Sequence, residues 1–212
     1  MKFNELQIEC LREQICERMS DFRLAHTLGV EKMAARLGEI YCPEKNDVLR
    51  VAALLHDITK ELSVSEHTEI YRAHSFEPSK EEISAPATLH SVTAALVIPE
   101  IYPEFADDEI IGAVKYHTVG RADMTLTEKL IFLADYIDET RKYDDCVALR
   151  KEFFDAEPEK MTERDKMRHL NKVILHAFDL TVSDIIKNGR VLSAETVLAR
   201  NSIIYALAEK NT

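Results

Sequence analysis

Apolar residues in this chain recur at helical spacing from one end to the other, and nowhere do they alternate as a half-buried strand requires. Leu6, Cys10, Leu11 and Ile15 fall on one stripe; Phe22, His26, Val30, Met33, Leu37 and Ile40 fall on the next. A third stripe, Val48, Val51, Ala52 and Leu55, runs into His56 and Asp57. A pattern with a period near 3.6 cannot bury one face of a sheet, so the chain must bury its apolar surface by packing helix on helix. Only five glycines and no tryptophan, with abundant Leu, Ala, Glu and Lys, agree with helix over sheet. A length of 212 residues suits one well-cored domain. The predicted fold class is all-α, and no repeat or low-complexity tract divides the chain.

Further along, residues 65–76 read as a more polar helix, 77–86 as a turn, and 89–98 as a helix broken by Pro99 and Pro103. Residues 107–118 carry acidic side chains suited to a helix N-terminus, and 118–124 form a loop. Thr125 followed by Glu128 is a capping-box pattern for a helix through residue 139. A long helix is expected from about Met167 to Ile186, a break at Gly189, and a last helix opening at Ser193.

The N-terminus mixes charged and apolar residues from its first turns, unlike a signal peptide, and no uncharged apolar run is long enough to span a bilayer. Cys10, Cys16, Cys42 and Cys146 show no metal-knuckle or redox spacing and read as free thiols of a soluble, cytoplasmic protein. A net charge of -11 argues against a broad basic face for long nucleic acids, yet it leaves room for a small phosphorylated substrate gripped by a few local cations.

The residues suited to chemistry are His26, the pair His56-Asp57, His90, His117 and Asp135. Each sits on a predicted helix or at its end, among apolar neighbours. Asp135 is the single charge within "IFLADYI". A carboxylate on a core-facing stripe needs a partner, and a metal ion is a strong one. A lone histidine on an apolar face is more often a hydrogen-bonded core residue, and spacing alone does not bring these residues to one site. His67, His74, His169 and His176 lie in polar or acidic segments and read as solvated or structural.

The order of these motifs, H, then HD, then a distant D, resembles the HD superfamily of metal-dependent phosphohydrolases. "HTLGV", "ALLHDITKEL", "LHS", "AVKYHTVGRADMTLTEKLIFLADYID" and "TR" resemble the bacterial YqeK family more closely. The resemblance spans about residues 20–150 and implies a single HD-domain helical bundle over residues 1–212, with a C-terminal helical extension over about 151–212. Three departures stand out. Ser91 occupies a position commonly held by glycine, and the stretch 153–168 and the tail after Gly189 look longer than usual.

The resemblance also implies symmetrical hydrolysis of diadenosine tetraphosphate to two ADP, through a hydroxide bridging two divalent transition metal ions. One ion would take His26, His56, Asp57 and Asp135; the other would take His90 and His117, with Asp57 shared. Mixed nitrogen and carboxylate ligands suit iron, manganese, cobalt or zinc, with iron the first choice. Lys60, one turn after His56, and Arg121, in the loop after His117, would contact the substrate and ease charge on the leaving group. Thr118 and Arg141 are further substrate contacts. Without the resemblance, Lys60 and Arg121 read equally well as surface cations. Family members are often dimers, so a homodimer is expected. Other readings are hydrolysis of a different nucleotide, or an HD module that binds a nucleotide without turnover.

Overall fold

A computed structural model of the chain describes residues 2–208; residue 1 and residues 209–212, the ends of the expected domain, lie outside the described residues. The described residues form eleven α-helices and no strand. They are α1 (Glu5–Cys16), α2 (Asp21–Tyr41), α3 (Asn46–Leu55), α4 (Val64–Ala73), α5 (Lys80–Ser84), α6 (Leu89–Ile101), α7 (Asp108–Tyr116), α8 (Leu126–Ile137), α9 (Asp144–Asp155), α10 (Glu163–Lys187) and α11 (Ala194–Ala208).

Local chemistry sets most of the starts. Capping boxes open α1 (Asn4 with Gln7), α4 (Ser63 with Glu66), α5 (Ser79 with Glu82) and α8 (Thr125 with Glu128). Each satisfies amide groups that the first turn would leave unpaired. Prolines 43, 86 and 103 each start a short 3-10 turn that leads into the next segment, where a missing N–H costs nothing.

The centre of the molecule is α3. All of Val48, Leu49, Val51, Ala52, Ala53, Leu54 and Leu55 are buried, so the helix is apolar around most of its circumference. It packs on α1, α2, α7 and α8, while α8 in turn packs on α2, α7, α9 and α10. At roughly 1.5–3 kcal/mol for each buried large apolar side chain, this packing fixes where α3 ends. Its C-terminus, carrying His56, is therefore held inside the bundle.

Four details differ from the sequence reading. Helix α6 does not break at Pro99 but runs on to Ile101. Pro99 itself is exposed and lies in the last turn of the helix, where little remains for it to interrupt. The segment read as a turn at 77–86 contains α5. Helix α9 was not foreseen, although Cys146, Leu149 and Phe153 are its buried stripe. Helix α10 begins at Glu163, ahead of Met167, because Thr162 caps it by accepting from the Asp165 amide. Among the described residues, no helix is long and apolar enough to cross a membrane.

Candidate metal centre

Four helix ends and one helix interior converge on the far end of α3. His56 caps α3 at its C-terminus and Asp57 follows in the next turn. His26 comes from α2, His90 from the first turn of α6, His117 from the C-terminus of α7, and Asp135 from the last turns of α8. The imidazoles form a file, His26–His56–His117–His90, with successive ring centroids 5.5, 4.9 and 5.0 Å apart.

Asp57 lies across this file. Its Oδ2 is 3.4 Å from His56 Nε2 and 3.7 Å from His26 Nε2, whereas Oδ1 is 3.1 Å from His90 Nε2 and 3.7 Å from His117 Nε2. Asp135 joins only one side, with Oδ1 3.0 Å from His26 Nε2 and 4.0 Å from His56 Nε2. His26, His56 and Asp135 form one cluster able to hold a metal ion, and His56, Asp57 and His117 form another.

Hydrogen bonds set which ring nitrogen faces inward. His56 Nδ1 lies 2.6 Å from the Ala53 carbonyl and His117 Nδ1 2.7 Å from the Val114 carbonyl. A carbonyl only accepts, so Nδ1 carries the proton and Nε2 keeps a lone pair for the centre. His26 Nδ1 is 3.3 Å from Asp138 Oδ2 and 3.4 Å from Thr140 Oγ1. Thr140 also binds Asp138 through its hydroxyl and, at 2.8 Å, its amide. Outer carboxylates and carbonyls of this kind orient metal-binding histidines.

The electrostatics divide the site. Burial pushes the Asp57 carboxyl up, but His56 and His90 outweigh it and hold it well below the ordinary range. Burial is likewise outweighed at Asp135, by Arg141 and His26. At His26 burial acts downward, while Asp135 and Asp138 carry the imidazole up to about 9. His90 and His117 go the other way: burial lowers both, and they stay neutral. Burial also lowers Lys60.

The residues fit a metal. His26 Nε2, His56 Nε2 and Asp57 Oδ1 are buried and make no aligned hydrogen bond among the described residues, only the close approaches to one another's groups given above. Buried polar atoms left so are costly unless something else satisfies them, and ionised carboxylates with imidazole nitrogens, that of His26 once a bound cation displaces its proton, are a suitable donor set.

The sequence-predicted contacts fall unevenly. Lys60 Nζ lies 3.1 Å from His90 Nε2, and Thr118 Oγ1 lies 3.2 and 3.1 Å from the Nε2 atoms of His90 and His117. Arg141 reaches Asp135, with Nη2 2.5 Å from Oδ1. Arg121 is engaged elsewhere: its Nε donates to both carboxylate oxygens of the buried Glu128 at 3.1 Å, with its guanidinium over the Tyr116 ring. That pair ties the 118–124 loop to the capping box of α8. Gly120, at φ +70, lets the same loop pass so close to Phe178 that a Cβ would sit 2.7 Å from its ring.

His67 is buried against Thr93 at 2.9 Å, and Thr93 bonds Thr59, whose hydroxyl donates to the His90 carbonyl. His74, His169 and His176 bond Ile70, Phe153 and Glu152, away from the centre. Ser91 is buried and donates to the Thr88 carbonyl in the first turn of α6.

Sequence reasoning missed Arg23, whose Nη1 lies 2.5 Å from Asp57 Oδ2, and also Asp138 and Thr140. Spacing could have found two of them: Arg23 is one turn before His26, and Asp138 one turn after Asp135. It also missed a cavity of about 680 Å³ that opens beside the centre. Thr118 and Arg141 line it, together with Tyr136 and, from the C-terminal helices and their link, Leu180, Asp184 and Arg190.

Residues 23–140 match the HD domain family model. Over 137 residues the chain is 35% identical to a symmetrical bis(5'-nucleosyl)-tetraphosphatase of Staphylococcus aureus, covering 64% of this chain and 69% of that one. A Bacillus subtilis protein of the same name is 29% identical over 205 residues, covering 94% and 97% of the two chains. A crystal structure from Clostridium acetobutylicum, described as a predicted HD superfamily hydrolase involved in NAD metabolism, superposes with a TM-score of 0.80 at 30% identity, covering 93% and 97%. The chain belongs to the HD-domain family and, within it, to the YqeK branch.

Proposed function

We propose that this chain hydrolyses diadenosine tetraphosphate symmetrically, to two ADP, at a centre of two divalent transition ions. His26, His56, Asp57 and Asp135 would hold one ion, and His90 and His117 the other, with Asp57 shared. The observation that carries this reading is the Asp57 carboxylate, whose two oxygens face opposite pairs of histidines. The donor set suits iron, manganese, cobalt or zinc, and among these iron is our choice. Bound ions would supply positive charge at the scissile phosphate and make a water molecule acidic.

The chain's own residues do the rest. Main-chain carbonyls keep His56 and His117 in the tautomer with Nε2 inward, and Asp138 holds the His26 ring. Lys60 and Thr118, which lie beside His90 and His117, would bond phosphate oxygens. Arg141 lines the adjoining cavity, where one ADP half would lie. Water adds to the phosphorus beside the central bridging oxygen, the bond from that phosphorus to the oxygen breaks, and the second ADP departs with it. Its terminal phosphate bears the new charge well, so no strong general acid is required. The role expected of Arg121 passes to Lys60 and Arg141, because Glu128 holds Arg121 in the loop.

We read residues 1–212 as one HD domain whose C-terminal extension supplies a wall of the cavity. The cysteines are unpaired, which suits the reducing cytoplasm. A homodimer is expected from the family, and sedimentation velocity decides it.

The test is anaerobic purification, metal analysis, and product analysis across a nucleotide panel in oxygen-18 water. ADP as the sole nucleotide product from diadenosine tetraphosphate, with label in half of it, supports the reading. AMP with ATP contradicts the symmetrical register, and binding without turnover under any metal contradicts hydrolysis.

A further inference from the structure

The reaction proposed above breaks the middle of a long substrate, so the substrate must extend past the centre in both directions. The cavity of about 680 Å³ accounts for one direction only. Adjoining it, on the α2 side and sharing Arg141 and Tyr143 with it, lies a second opening of about 550 Å³, lined by Phe22, Arg23, His26, Arg141, Lys142 and Tyr143. Both volumes fall in the range typical of small-ligand sites, about 300–1,000 Å³.

This cleft combines two exposed aromatic rings with three cations. Phe22 is 79% exposed and Tyr143 72% exposed, which is costly surface for a protein to leave uncovered. Phe22 lies one turn before His26 on α2, so both project from one side of the helix toward the cleft. The Arg23 guanidinium sits 6.0 Å from the Phe22 ring centroid and also reaches Asp57. Arg23 Nε is buried and lacks a hydrogen-bond partner among the described residues. Arg141 bonds Asp135 and lines both openings, as does Tyr143. In a chain of net charge -11, a cleft with Arg23, Arg141 and Lys142 at its walls is a local exception suited to a polyanion. Flat aromatic rings beside phosphate-binding cations are the chemistry of nucleotide recognition by stacking.

We propose that this cleft is the subsite for the departing ADP half: its base stacks on Phe22 and Tyr143, and its phosphates run past Arg23 and Arg141. The inference rests on the hydrolase reading. It makes the two ends of a symmetrical substrate bind in unlike places, one in the cavity walled by the C-terminal helices and one in a cleft rimmed by exposed rings. Water adds to the phosphorus on the cavity side, the bridging P–O bond breaks, and the oxygen leaves with the cleft-side ADP. Adenosine tetraphosphate, which lacks the second nucleoside, would be cut at the same bond to ADP and pyrophosphate without using the aromatic rings.

The experiment compares kcat/KM for diadenosine tetraphosphate and adenosine tetraphosphate in the metal-loaded full chain, Phe22→Ala and Phe22→Trp. Phe22 is chosen because it lines the cleft and not the larger cavity. The expected result for Phe22→Ala is a loss of roughly tenfold with diadenosine tetraphosphate, mostly in KM, the effect of removing one base–aromatic stack. The loss with adenosine tetraphosphate should be under about twofold, and Phe22→Trp should restore the first value. An equal change with both substrates, or none with either, overturns the subsite. Calorimetry with the same chains supplies a second readout that needs no turnover. If the wild type cleaves neither compound, the hydrolase reading fails by itself. Selective loss of diadenosine tetraphosphate affinity over ADP in Phe22→Ala would then still support the cleft, and equal affinities would overturn it.

Discussion

The two halves of the centre share Asp57 but are built on different principles. Around His26 and Asp135 the chain places Asp138, Thr140, Arg23 and Arg141, a charged network that fixes each group through side chains. Around His90 and His117 there is no second carboxylate of that kind among the described residues. His117 hangs from a main-chain carbonyl, and His90 is steadied through its own backbone by Thr59. The same contrast appears in protonation, with His26 carried up to about 9 while His90 and His117 stay neutral. One half thus has carboxylates of its own and is braced by ion pairs, and the other depends on Asp57 for its negative charge. An ion on the first half should be held more tightly than one on the second.

Removing the shared group should erase the distinction. Asp57→Ala is expected to lower turnover by at least about a thousandfold, equivalent to about 4 kcal/mol, and to reduce metal in both halves while far-ultraviolet circular dichroism stays helical. Near-normal turnover in that variant would sink the shared assignment. Next in size, His26→Ala should empty mainly the braced half and His117→Ala mainly the neutral one, read as metal per chain by mass spectrometry. If His117→Ala leaves both metal content and rate unchanged, the centre is mononuclear.

The brace itself can be loosened without touching a ligand. Asp138→Asn should weaken metal binding at the first half by roughly 10–100-fold and leave the second half alone, the usual cost of removing a group that orients a histidine ligand. Competition against a chelator measures this directly. A smaller contrast separates the two cations first suspected of touching substrate. Lys60→Ala should lower kcat/KM about tenfold, through loss of a charge-assisted phosphate contact. Arg121→Ala should instead act on the loop, lowering the melting temperature while kcat/KM falls less than about threefold. The reverse order would return Arg121 to the substrate.

The metal-centre candidates were legible because each stands out against apolar neighbours and their order forms a pattern. His26, His56, Asp57, His90, His117 and Asp135 all meet at the end of α3. What surrounds them was less legible. Arg23 and Asp138 look like ordinary surface charges in the sequence, and only the packing of α2 on α8 turns them inward. Arg121 shows the opposite case: its neighbour His117 faces the centre, while its own partner in the fold, Glu128, lies in the next helix. The cavity wall from α10 and α11 has no motif at all, because it depends on long-range packing. Likewise Pro99 breaks a helix in a sequence rule, yet on an exposed face it did not.

The central claim is a pair of unequal sites joined by Asp57, and stepwise chelation of the anaerobically purified chain tests it most directly. Metal per chain and diadenosine tetraphosphate turnover are followed in the same samples. The account predicts two ions per chain at full activity, with one lost first, activity falling with it, and the second retained until chelator is much stronger. One ion per chain at full activity, or two ions leaving together, would contradict it.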